Sequence, residues 1–165
     1  MIQILDIPSI SAIIAAVGVL IGVVLTVLEV RNLVETRQTD LVIRLYSTFG
    51  SEELQDAWEK TQTREYKDFD VYRKEYGLRE VNEVGWFFEG VGVLLHRRLI
   101  DVGLVDDLFS SPVKRAWERL KPIAEGERKQ TGRPQIWEWF EYLYNEMQKR
   151  EQKLQQSTAK GGRDQ

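Results

Sequence analysis

Ile10–Leu28 reads ISAIIAAVGVLIGVVLTVL, 19 residues without a charged side chain. At about 1.5 Å rise per residue, a helix of that length covers roughly 28 Å, about one bilayer hydrocarbon core. The stretch therefore predicts a transmembrane helix over residues 10–29. Two other accounts fit less well. A cleaved signal peptide needs a basic start and a small-residue cleavage site. Residues 1–9 contain no Lys or Arg, and Glu29, Arg31 and Asn32 follow Leu28. A buried core helix of this length ordinarily keeps a polar face.

Pro8 and Ser9, just ahead of the run, suit a helix start. Every Lys and Arg lies after residue 30, beginning with Arg31, Arg37 and Arg44. The positive-inside bias then predicts a plasma-membrane protein with residues 1–9 outside and residues 31–165 in the cytoplasm.

The part after residue 30 holds all 23 basic residues and all of the 26 acidic ones except Asp6 and Glu29, a balance near neutral. That gives no electrostatic reason to expect nucleic acid as a partner. With no cysteine in the chain, disulfides, thiolate zinc sites, iron–sulfur ligation and cysteine nucleophiles are excluded.

The whole pattern is helical, with no alternating strand run and no hairpin signal. Residues 30–50 continue the anchor as a helical linker, with Leu33, Val34, Leu41, Val42, Leu45, Tyr46 and Phe49 at helical spacing and Gly50 as the stop. Ser51 caps a short helix that carries Glu52 and Glu53 in its first turn. Tyr66–Tyr76 is aromatic and charged and ends at Gly77. Glu80–Leu99 has the clearest apolar stripe, Val81, Val84, Phe88, Val91 and Leu95, and is expected at the centre of the core. Asp101–Phe109 reads as a separate short segment, because Ser111 and Pro112 resemble an N-cap and first helical residue. Val113, Ala116, Trp117, Leu120 and Ile123 share one face of the helix that follows. Ala124–Arg133 reads as a loop or frayed end, and Pro134 as the start of a last helix carrying Ile136, Trp139, Phe140, Leu143, Tyr144 and Met147. The expected architecture is all-α: a bundle over residues 51–148 behind one N-terminal membrane helix. Residues 149–165 form a polar tail, with Lys160–Gln165 disordered.

From Phe87 to Met147 the chain carries FEGVGVLL, then LID, Trp117 with LKP, RK, GRP and a closing FEYL. The positions concerned are Phe88, Glu89, Asp101, Trp117, Pro122, Pro134, Phe140 and Glu141. This order resembles a widespread prokaryotic family of small uncharacterised proteins. The resemblance implies a single-pass membrane helix and a cytoplasmic all-α domain. It implies no catalytic residues, because the family has no agreed function.

Two sets of residues stand out as functional candidates. Gly18 and Gly22, in line with Ser11 and Ala15, make a GxxxG pair that favours close helix association in lipid and so points to a homo-oligomer. The competing account is that Gly and Ala are simply frequent in membrane helices. Gly85, Glu89, Gly92 and His96 share one face of the Glu80–Leu99 helix. With Asp101 nearby, Glu89 and His96 could line a polar pocket, although they lie two turns, about 10 Å, apart. The competing account is a small-residue packing seam with polar tips. His96 is the only histidine, so di-histidine metal sites are excluded, and no nucleophile elbow accompanies it. Gly90 and Gly92 lack the strand and third glycine of a dinucleotide loop. No cofactor is expected. Of the five tryptophans, Trp86 and Trp137 fall off the main stripes and suit a groove lining, a contact with a second copy or a cover over the domain's edge. Exposed aromatics point to a protein partner, and the competing, favoured account is burial within the domain.

These features favour a membrane-anchored helical interaction or scaffold module. The alternative is a membrane-tethered sensor or enzyme using Glu89, His96 and Asp101. A pore of associated anchors ranks last, since only Ser11 and Thr26 are polar in the run.

Overall fold

A computed structural model describes residues 7–161, with side chains described over residues 11–157. The expectations for residues 1–6 and 162–165 lie outside that range. Six helices and no strand occur among the described residues: α1 Ile7–Phe49, α2 Glu52–Thr63, α3 Phe69–Tyr76, α4 Arg79–His96, α5 Val102–Thr131 and α6 Glu138–Gly161. Contacts divide the chain between Asp40 and Leu41.

The N-terminal unit contains the charge-free part of α1. It is long and apolar enough to cross a membrane, and its Ile, Val and Leu side chains are exposed along the whole run. The hydroxyl of Thr26 donates to the Gly22 carbonyl at 2.8 Å, so its polarity is satisfied within the helix.

The second unit starts with Leu41–Phe49. Val42 is buried and Leu41, Leu45 and Phe49 pack against the core. The Phe49 ring sits 5.5–5.8 Å from Trp58, Phe87, Phe88 and Phe109. Phe88 stacks on Phe140 at 5.0 Å, and Trp117 meets Phe140 edge-on at the same separation. Aromatic groups at these distances add to the stability that area burial alone provides.

Local chemistry explains most helix ends. Ser51 accepts from the Leu54 N–H at 3.4 Å, and Asp68 from the Val71 N–H at 2.9 Å. These side chains satisfy amides that a first turn leaves open. Helix α4 ends in a Schellman turn: the Leu99 N–H reaches the Leu94 carbonyl and the Arg98 N–H the Leu95 carbonyl, both at 2.9 Å. The position that glycine usually fills there is Arg98, at φ 57°.

Three sequence expectations are corrected. Residues 102–131 form one helix, so the break at Ser111–Pro112 does not exist, and most of Ala124–Arg133, expected as a loop or frayed end, is regular helix as far as Thr131. Pro112 and Pro122 lie inside it, on partly or fully exposed positions. The carbonyls they leave without a donor can therefore meet water. Meanwhile Phe109, Val113, Ala116, Trp117, Leu120, Ile123 and Ala124 are all buried, and this continuous stripe holds the helix together across both prolines. The last helix begins at Glu138 rather than Pro134. Gly132 ends α5 in the left-handed region at φ 67°, and Trp137 follows at φ 53°. Residues 134–137 are consequently a turn.

Candidate functional site

Helix α4 packs principally on α6, and the glycines of α4 make that possible. A Cβ on Gly85 would overlap the Trp137 indole, and one on Gly92 would overlap the Trp139 backbone. The face that Gly85 and Gly92 share is thus an intramolecular seam.

Glu89 lies between the two glycines. Its carboxylate accepts the Phe140 N–H at 2.7 Å, in the first turn of α6. An acid on one helix thereby does for another what an N-cap side chain does for its own. Burial pushes the Glu89 carboxyl above the usual carboxylate range, Glu138 adds to the rise, and the Phe140 and Trp139 amides and Arg128 oppose it.

His96, at the far end of α4, lies with its ring 4.1 Å from Trp139 and edge-on to Tyr142 at 5.5 Å. Asp101 belongs to a different element. Its carboxylate caps α5, accepting from Gly103 at 2.7 Å and Leu104 at 3.4 Å. The structure therefore places Glu89 and His96 two turns apart on one seam and commits Asp101 to the start of the next helix. Gly18 and Gly22 have nothing within 4 Å of where a Cβ would stand.

Beside Glu89 opens a cleft of about 370 Å³ between α4, the end of α5 and the turn at 133–137. Trp86 stands on its rim with 66 % of its surface exposed, whereas Trp137, in its wall, is 3 % exposed. Arg128 fixes the turn: Nε donates to the Ile136 carbonyl at 2.8 Å and Nη1 to Glu141 at 2.7 Å. Glu127 faces the cleft from α5, and burial raises its carboxyl above the usual range. Its carboxylate has no hydrogen-bond or ion-pair partner among the described residues, in contrast to Glu80, which takes Arg64 at 3.1 and 3.3 Å. Arg64 is the main reason that the Glu80 carboxyl is lowered.

The sequence singles out Glu89, the glycine seam and a groove lined by Trp86 and Trp137, but gives no sign of Glu127. The signal for Glu127 lies in the continuity of α5, whereas Ala124–Arg133 reads in sequence as a loop or frayed end.

The architecture defines a class: an all-α protein with an N-terminal helix apolar and long enough to cross a membrane. Within that class the chain belongs to the family described as Domain of unknown function (DUF4760), whose model matches residues 12–147. No curated protein and no solved structure matches the chain.

Proposed function

We propose that the protein is a single-pass membrane-anchored interaction module, with its helical domain on the cytoplasmic side. The observation that carries this reading is the uncovered apolar run of α1, on a chain whose most suggestive polar side chains already serve the fold. Glu89 and Asp101 are held by backbone amides, and His96 lies against the rings of Trp139 and Tyr142. A binding role needs only a shaped surface, which the Trp86 cleft supplies, whereas catalysis needs groups free to react. The placement of every Lys and Arg after residue 30 supports the orientation. Gly18 and Gly22, on an exposed face of α1, support self-association through the anchor.

Native mass spectrometry of the full chain, extracted in nanodiscs from its own membrane, tests the reading. A defined oligomer or protein complex without added small-molecule mass is expected, and Gly18→Leu or Gly22→Leu should shift the oligomer to monomer. A reproducible added mass of a few hundred daltons would overturn the reading in favour of a sensor or enzyme.

A further inference from the structure

We propose that the cleft between Trp86 and Glu127 receives an arginine side chain of the protein partner. The inference rests on the interaction-module reading and gives its partner a chemistry. Three features carry it. The Trp86 indole is the most exposed tryptophan surface for which the fold offers no cover, standing on the rim of a concave site. Glu127 is a half-buried carboxylate without a hydrogen-bond or ion-pair partner among the described residues, in the cleft wall. Finally, the charge around the cleft is acidic. Glu89 and Glu127 line it and Glu138 lies close enough to act on Glu89, while Arg133 is the one basic residue in the lining. Arg128, the other nearby cation, is taken up by Glu141.

A guanidinium fits this set better than a simple ammonium. Its plane stacks on an indole face, and its forked N–H groups match a carboxylate in two parallel bonds. The space is adequate, since about 370 Å³ lies within the range of small-ligand clefts. Closing the cleft would cover Trp86 and give Glu127 the counter-ion it lacks.

The test uses the full chain in nanodiscs and acetyl-arginine amide as the probe, read by the indole N–H resonances and assigned with Trp86→Phe. Saturable movement of the Trp86 signal is expected. Glu127→Gln should weaken it by about tenfold, the scale of one charge-assisted hydrogen bond. Glu125→Gln, outside the cleft, should leave it unchanged. An unmoved Trp86 signal, or equal response in Glu127→Gln, overturns the proposal. So does a stronger response to choline than to the arginine probe, which would assign the cleft to a small quaternary amine. Glu127→Gln removes no hydrogen bond or ion pair, so the variant should remain folded. Retention of a protein complex in native mass spectrometry alongside a failed arginine response would reject this inference and leave the module reading intact.

Discussion

At the scale of single residues, Glu89 shows how a functional-looking side chain can be structural. Its carboxylate replaces the N-cap that the turn before α6 does not supply. Glu89→Ala should cost about 1–2 kcal/mol, the usual value of a cap, measured by urea unfolding in detergent. Its raised carboxyl also fixes the sign of a pH effect. The folded chain holds this proton more tightly than the unfolded chain does. The associated stability is complete below the unfolded value near 4.3 and is lost as pH rises through the higher folded value. The stability of the wild type relative to Glu89→Gln should therefore fall with rising pH across the carboxylate range. Glu80, lowered by Arg64, contributes in the opposite sense and loses its stabilisation as pH falls. Two glycines of α4 give a sharper comparison. Gly90 has open space around it and should gain about 0.5–1 kcal/mol on replacement by Ala, from better helix propensity. Gly92→Ala instead drives a methyl into the Trp139 backbone and should cost about 1–3 kcal/mol, the range for overpacked sites. Thermal unfolding of the two variants should shift in opposite directions.

At the scale of helices, the elements read most easily from sequence are those whose signals are local. Ser51, Gly50 and Gly77 mark helix ends, and the stripe of Val81, Val84, Phe88 and Val91 identifies α4 as central, with all four buried. What could not be read locally was decided by packing. Pro112 looks like a helix start, but Phe109 and Val113 on either side of it are both buried in one core, and that keeps α5 whole. Pro134 fails as a helix start because Trp137 is needed in a left-handed conformation, with its ring over Gly85. The candidate site suffered the same loss, since Glu127 becomes visible only when its segment is helical. Helix α3 docks through a close approach of the same kind: a Cβ on Gly126 would overlap Phe69. Gly126→Ala should loosen α3 from α5, and faster amide hydrogen exchange confined to residues 69–76 would reveal it. Uniform loss of protection across all helices would instead mean that α3 and the rest unfold together.

At the scale of the whole molecule, the division at Asp40 and Leu41 suggests a simple dissection. The unit from Leu41 onward contains every buried core residue among the described residues. A chain starting at Leu41 should keep its helical circular dichroism and a cooperative thermal transition. It should also lose the ability to float with liposomes, which the full chain should retain through its apolar run. Co-flotation of the shortened chain would place the lipid-binding determinant in the helical domain instead.

The seam between α4 and α6 also sets an order of events during synthesis. Gly85 and Gly92 face ring and backbone groups of Trp137 and Trp139, roughly fifty residues later in the chain. At translation speeds of about 5–20 residues per second, those partners arrive several seconds after the apolar run has left the ribosome. The central helix of the domain thus waits for the segment that closes over it. For those seconds the nascent chain carries an open apolar surface on α4. A stall before codon 137 would hold it in that exposed form, tethered but unable to close.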